Sequence, residues 1–505
     1  MRNLKNLSSQ SRGAARTPST RPARDHGDFY HYTNGRWLWD EESQLRERYR
    51  RFNVAELERL AAKRSGAQAC VAISKLAEGG FNKVFRLVMN TGAVVIARVP
   101  NPNAGPAPRR TNGIGSCDDG ARTVLDIPVP RVLGWNGEAR NPVEAEYILM
   151  EKAVRSQLGG VWEEMELRDK LEIVDEIVAT EKKLLSVSFT RYGNLYFAKD
   201  VFQGCERAEV IGEVPPSDKK EVEDRFIIGP VVDLSFWHRE RASVDIDHEP
   251  WKHPEDYLRA IGQREIAWIG RYATPILSNG LVVTSEAQSS PDAHIALYRK
   301  FLNVVDCILP KRDQARPTLH AMGQLVNYNG EMMMTLPDDY KSLEDEEQKV
   351  RICTQVEKPI ILWTYKNKTK NMNPVIYDIF RVNHGRTRPD TVDISANTWN
   401  GDIIPFRQCS YTHWREINPD IPCPINFTDE DIKAHLRDGE GWNENADFWD
   451  SLQGFVGRDG YTSNEYHDQA LEMFLQLREQ GLQTLSGEEW EAFEKNTRWA
   501  VKKVE

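Results

Sequence analysis

Three short runs rich in aliphatic and β-branched residues lie close together near the start of the chain, at 72–76, 83–89 and 93–99. The last two are separated by Asn90-Thr91-Gly92, a hairpin signature in which glycine accepts the positive φ of a tight reversal. Strands joined so closely must pair antiparallel, because a parallel pair needs a crossover of about a dozen residues or more. The chain therefore carries a small antiparallel sheet, and the rest of the sequence has to cover it. Ahead of the sheet, Val54, Leu57, Leu60 and Ala61 recur at helical spacing over 54–63, a helix with one face to bury. Beyond the sheet the period lengthens. Leu167, Leu171, Val174, Ile177 and Val178 share a face of a helix ending near Leu185, and a further helix is expected at 297–309. Phe448 and Leu452 share a helical face, and Ala470, Met473, Phe474 and Leu477 mark another helix that Gly481 is expected to end. The class is α+β, a small antiparallel lobe before a larger, mainly helical one, and 505 residues exceed one ordinary core.

Charge excludes one class of partner. With 66 basic against 76 acidic residues the chain offers nucleic acid no general attraction, and no nucleic-acid partner is expected. No run of about 18 apolar residues occurs, so no transmembrane segment is expected. The seven cysteines (70, 117, 205, 307, 353, 409 and 423) are dispersed, odd in number and without a CxxC pair, which fits reduced thiols rather than a disulfide framework or zinc site. The histidines are scattered with no HExxH, so no metal site is assigned. The first residues differ in kind: Arg2, Lys5, Arg12, Arg16, Arg21 and Arg24 stand among Ser, Thr and Ala with no acid before Asp25. That is mitochondrial presequence composition; a basic tail is the alternative, since Pro18 and Pro22 shorten any amphipathic helix. Residues 1–27 are assigned to the presequence and 28–66 to an N-terminal extension.

Between the first two strands stands Glu78-Gly79-Gly80-Phe81-Asn82-Lys83, where paired glycines let backbone amides approach a phosphate. Alone, the pair would pass for an ordinary hairpin turn. The third strand adds Arg98, a lone cation in Val95-Ile96-Ala97-Arg98-Val99, whose bland role would be an edge-strand surface charge. Further on, Ala145-Glu146-Tyr147-Ile148-Leu149-Met150-Glu151 is an apolar strand ending in charge, either a buried strand or the backbone edge that would hold a nucleobase. The candidate nucleotide-binding residues are Gly79, Gly80, Phe81, Asn82, Arg98 and Glu151.

The segments AEGGFNKVF, VIARVP, IPVPRVLGW, NPVEAEYILMEKA and GGVWEEM resemble the aminoglycoside phosphotransferase and kinase-like family, in the fungal branch called altered inheritance of mitochondria protein 9. Toward the C-terminus NTWNGDIIPFRQC, PCPINFT, DGEGWNENADFWDSLQGFVGRDG and ALEMFLQLREQGL resemble the same branch, so the likeness covers about residues 28–505. The resemblance implies a protein-kinase-like two-lobed fold, with 67–152 as the N-lobe and 153–505 as a truncated helical C-lobe with a branch-specific tail. It also implies a mitochondrial address. The acceptor, small molecule or protein, is not implied.

Phosphoryl transfer in such a fold uses an orienting Asp near the acceptor, an Asn and a second Asp that hold magnesium, and a helix Glu that clamps the strand cation. The family carries the first of these in an HxDxxxxN loop, expected here just after Arg316-Pro317-Thr318-Leu319, yet the chain runs from His320 into Ala321-Met322-Gly323-Gln324. The loop and metal Asp would fall at this join, so the catalytic-loop region reads as deleted. Asp233, Asp245, Asp247 and Asp378 fail as substitutes on order and spacing, and so does His26-Gly27-Asp28. The clamping helix is also in question, because Asn112-Gly113-Ile114-Gly115-Ser116-Cys117-Asp118-Asp119-Gly120 is too glycine-rich to be a good helix. One codon spelling of it, read one base later, gives Thr-Ala-Ser-Glu-Val-Ala-Thr-Met, whose Glu falls opposite Gly115. No catalytic or metal residue is assigned. The expectation is a non-catalytic family member in which ATP binds weakly and magnesium is not anchored. Two alternatives stay open: an intact locus encoding an ATP-dependent phosphotransferase and mis-translated here, and a mitochondrial interaction protein.

Overall fold

The computed structural model describes residues 26–105, 109–154, 156–212, 214–274, 285–308, 335–337, 340–381, 394–399, 403–417 and 427–501. In chain order, β1 (Arg36–Trp37) precedes β2 (Cys70–Glu78), β3 (Asn82–Met89), β4 (Val94–Pro100), β5 (Val132–Asn136) and β6 (Tyr147–Glu151). The last five make an antiparallel sheet in the order β2-β3-β4-β6-β5, with the expected runs falling on β2, β3 and β4. The β3–β4 hairpin closes as its sequence requires: Gly92 takes φ +86° and its N–H donates to the Met89 carbonyl at 2.9 Å.

Side-chain alternation gives this sheet two unlike faces. Lys83, Phe85, Leu87 and Met89 on β3, with Val95, Ala97 and Val99 on β4, are buried on one side. Asn82, Val84, Ile96 and Arg98 lie on the other and are only partly covered. The covering element of the closed face is the Val54–Ser65 helix, which contributes Val54, Leu57, Ala61 and Ala62 to one core with the sheet. Its limits are set locally: Asn53 Oδ1 accepts the Glu56 N–H at 3.2 Å, and Gly66 ends it at φ 73°. Complete burial of residues such as Leu57 and Phe85 is worth about 1.5–3 kcal/mol each.

The glycine-rich stretch corrects the sequence reading. Residues 112–120 are helical, within Arg109–Thr123. Gly113 faces the Tyr196 ring, where a Cβ would stand 3.5 Å away; at Gly115 the Trp135 ring would be 3.1 Å away and at Gly120 the Phe226 ring 3.5 Å. Trp135, Phe197 and Phe226 form a continuous stack, with centroids 5.4 and 5.5 Å apart. The glycines let a helix lie close against aromatic rings, and that packing outweighs a propensity deficit of about 1 kcal/mol per glycine.

Past β6 the described chain is mostly helical. The helix expected at 167–185 is Leu167–Leu185, which packs Val174 and Val178 on Tyr365 of the Glu346–Met372 helix. The largest core joins the Pro254–Tyr272 and Pro291–Ile308 helices through residues such as Leu258, Ile261, Leu297 and Phe301. Gly481 requires a second correction, since the His467–Thr484 helix runs past it. A Cβ there would lie 2.5 Å from the Phe493 ring, so this glycine serves a close helix crossing rather than a helix end. No helix among the described residues is long and apolar enough to cross a membrane.

The N-terminal extension straps the sheet to the C-terminal tail. β1 pairs antiparallel with Tyr461–Thr462, the Leu38 N–H donates to the Gly460 carbonyl at 2.9 Å, and Trp37 Nε1 donates to Asp459 at 3.2 Å. Leu38 and Trp39 then enter a core with Trp449, Phe474 and Trp499. The fit is tight at Gly35, where a Cβ would lie 2.5 Å from the Tyr461 ring and 2.6 Å from the Thr462 carbonyl oxygen. Gly35→Ala is therefore expected to cost about 1–3 kcal/mol by overpacking and to open 31–39 to protease. Limited proteolysis that cleaves the variant no faster than the unmodified chain would contradict this docking.

Candidate functional site

A cavity of about 490 Å³ opens on the partly covered face of the sheet. Ala77, Val84, Ile96 and Met150 supply apolar wall, and Glu78, Gly79, Asn82 and Arg98 supply polar groups. Three of the six sequence-designated residues, Gly79, Asn82 and Arg98, thus line one hollow.

Alternation explains Arg98. It is on β4, the middle strand, with Val84 and Ile148 as cross-strand neighbours, so it is no edge charge. Among the described residues its guanidinium makes neither a hydrogen bond nor an ion pair. Burial holds it below its ordinary pKa, partly offset by the charge of Asp118 on the Arg109–Thr123 helix. The Asp118 carboxyl is in turn raised by burial and lowered by Arg98. Asp118 is the acid that this helix offers to the strand cation, a residue missed in the sequence because its segment was not expected to be helical.

The glycine turn is held from within and open outside. The Gly79 N–H donates to the Asn82 carbonyl at 3.0 Å. Neither Gly79 nor Gly80 has a positive φ, and a Cβ on either would meet nothing within 4 Å. Packing and backbone conformation therefore do not demand glycine at these positions. Phe81 is 40% exposed at the tip. Glu151 faces other work: its carboxylate accepts the Arg131 N–H at 2.8 Å and lies 3.6 Å from Arg122, tying the edge of the sheet to the end of the Arg109–Thr123 helix.

Behind the turn is a charged network that the sequence reading did not anticipate. Glu78, with a side chain 2% exposed, accepts the Thr33 N–H at 2.8 Å and meets Lys75 at 3.1 Å and Lys83 at 3.2 Å. Lys83 Nζ also donates to the Arg48 carbonyl at 2.5 Å and to Asn101 Oδ1 at 2.7 Å. The available signal was the period-2 alternation, which puts Lys83 on the same face as Phe85 and Leu87. Burial pulls the Lys83 ammonium down to about 8, against the pull of Glu78.

A second hollow of about 380 Å³ is lined by His253, Glu255, Asp256, Arg259 and Asp306. Its Arg259 already binds both Asp306 oxygens, at 2.6 and 2.7 Å, and offers no free cation. The sequence join at His320-Ala321 lies outside the described residues. Asp233 accepts the Ser235 N–H at the start of a short helix, Asp247 accepts Trp251 Nε1, and Asp245 is exposed. Among the described residues no group of three or more His, Cys, Asp or Glu could hold a metal ion.

No protein-family profile matches the chain. Among curated proteins it is 26% identical to a subtelomeric hrmA-associated cluster protein of Aspergillus fumigatus, over 81% of this chain and 92% of that one. It is 29% identical to altered inheritance of mitochondria protein 9, mitochondrial, of Yarrowia lipolytica, over 46% of this chain and 43% of that one. The protein of that name in Candida albicans is 24% identical over 47% of this chain and 45% of its own. The Yarrowia and Candida proteins bear out, over 46% and 47% of this chain, the resemblance read from the motifs, and their printed names carry the expected mitochondrial address. A solved structure bearing the name fructosamine-3-kinase, from Thermobifida fusca, aligns over 76% of this chain and 100% of its own at 12% identity and a TM-score of 0.30, too low to bear on the fold.

The Lys83 network sets a pH dependence. A lysine whose folded pKa falls from 10.5 to about 8 binds fewer protons folded than unfolded between those values. Stability should therefore rise with pH across that window, by up to about 1.4 kcal/mol per unit, and be lost again as pH falls toward 8. Denaturant titrations from pH 8 to 10 are expected to show this slope in the unmodified chain and not in Lys83→Met. Equal slopes would contradict it.

Proposed function

We propose that the chain is a mitochondrial, kinase-like protein that binds the phosphates of a nucleotide weakly in the Gly79–Arg98 cavity and does not transfer them. One observation carries the reading: Arg98 is a half-buried cation without a hydrogen bond or ion pair among the described residues, and it faces an open glycine turn across the cavity. A guanidinium removed from water, near the charge of Asp118 but in no ion pair among the described residues, favours a bound anion more strongly than a surface cation does. Glycines that the fold does not require suit a turn that a ligand approaches closely. ATP fits the donor set, with Val84, Ile96 and Met150 as apolar wall beside the base and Arg98 with the turn amides at the phosphates.

Magnesium does not fit. The sequence has neither the HxDxxxxN loop nor a metal Asp after it, and the described residues offer no carboxylate cluster in their place. Loss of a positioned base alone removes about 10²–10⁴ of rate, and loss of the metal anchors removes more, because this chemistry rests on positioning and charge neutralisation. A helix at Arg109–Thr123 forms from the residues as they stand, so a reading-frame error is not needed to supply one.

Calorimetry of the purified chain tests the reading. ATP binding should be weak and the same with and without magnesium, and Arg98→Ala should weaken it about 10- to 100-fold, the loss of a charge-assisted contact. Gly80→Ala should separate fold from function, gaining about 0.4–1 kcal/mol of stability while losing ATP affinity several-fold. Magnesium-dependent binding with ATP hydrolysis that disappears in Arg98→Ala would overturn the inactive reading. For the address, a C-terminal fluorescent fusion should enter mitochondria and stay cytosolic without residues 1–24; import unaffected by the deletion would remove the presequence.

A further inference from the structure

The turn between β2 and β3 is held by more than its own Gly79–Asn82 bond. Its Gly80 carbonyl accepts two side-chain amides, Asn103 Nδ2 at 3.1 Å and Asn101 Nδ2 at 3.4 Å, and its Phe81 carbonyl accepts the Asn101 N–H at 2.9 Å. Both asparagines stand just past β4, in Asn101-Pro102-Asn103. Asn101 is itself fixed, because its Oδ1 accepts Lys83 Nζ at 2.7 Å on the closed side of the sheet. Asn103 Oδ1 is buried without a hydrogen-bond partner among the described residues, where the side chain's one hydrogen bond is the amide given to Gly80.

A trans peptide points its C=O and N–H in opposite directions, and the described chain contains no cis peptide. Drawing the Gly80 carbonyl toward the Lys83 side therefore turns the Phe81 N–H away from it, and the opposite face of the sheet carries Asn82, Val84 and Arg98, which border the cavity. That N–H has no partner among the described residues. Gly80, which packing does not hold, would otherwise leave this peptide freer to rotate than a residue with a Cβ would.

We propose that Asn101 and Asn103 are positioning residues that aim the Phe81 amide at the anion bound by Arg98. The assignment rests on the phosphate reading above and adds what fixes the turn. It explains why an arginine strand is followed at once by an Asn-Pro-Asn corner: the same strand delivers the cation to one side of the anion and the tether of the amide to the other.

The test uses the full chain and inorganic pyrophosphate. Asn103→Ala and Asn103→Asp remove the donor and are expected to weaken pyrophosphate binding about 3- to 10-fold, with the melting temperature kept. Asn103→Gln, which keeps a donor amide, should recover affinity toward that of the unmodified chain. Hydrogen exchange of the Gly79 amide, bonded across the turn at 3.0 Å, should accelerate in Asn103→Ala without any ligand. Unchanged affinity in Asn103→Ala, or an equal loss in Asn103→Gln, would overturn the assignment, and faster exchange with unchanged affinity would reduce the asparagines to a structural role. Pyrophosphate binding no tighter in the unmodified chain than in Arg98→Ala would instead overturn the phosphate reading. In that case the exchange at Gly79 still reports whether the asparagines hold the turn.

Discussion

The carboxylate of Glu78 is where three parts of the chain meet. It is almost wholly buried, and it is held by two lysines of its own hairpin and by the backbone N–H of Thr33 from the extension. The Thr33 carbonyl in turn accepts Asn464 Nδ2 at 2.9 Å, so one residue joins the sheet to the C-terminal tail. An isolated buried carboxylate would be costly, and removing one partner of such a network typically costs about 3–5 kcal/mol. The arrangement thus fixes the extension, the tail and the start of the glycine turn relative to one another. Glu78 also lines the cavity, so the anchoring of the strap and the shape of the site share a group.

Glycine serves opposite purposes in different places along this chain. At Gly35, Gly115 and Gly481 a side chain would collide with or crowd a ring, and glycine is there because two elements approach closely. At Gly92 the reason is a positive φ. At Gly79 and Gly80 neither reason holds, and the space a Cβ would occupy is open. A residue type that costs conformational entropy, kept where the fold makes no use of it, points to something outside the fold that does.

What the sequence made legible follows from the range of the interactions involved. The strands on either side of the Gly79–Gly80 turn, the β3–β4 hairpin, the Val54–Ser65 helix and the Leu167–Leu185 helix are specified by local periodicity and local turn chemistry, and were readable. So was the gathering of Gly79, Asn82 and Arg98, because strand alternation and a hairpin bring them together. The Arg109–Thr123 helix was not, since glycine propensity argues against it and only the Trp135, Tyr196 and Phe226 rings, distant in sequence, reverse the balance. Nor was the pairing of Arg36–Trp37 with Tyr461–Thr462, two residues on each side with no periodic signal. Glu151 was legible as a strand end, whereas its partners Arg122 and Arg131 were not.

The central claim is an anion site assembled without a metal from one strand arginine and one turn amide. A crystal structure of the chain with ATP in magnesium-free buffer tests it most directly. The account expects a phosphate oxygen within about 3 Å of the Arg98 guanidinium and of the Phe81 N–H, with the apolar end of the cavity beside the base. Phosphates bound away from Arg98, or a structure with added magnesium in which protein carboxylates hold the ion, would contradict it.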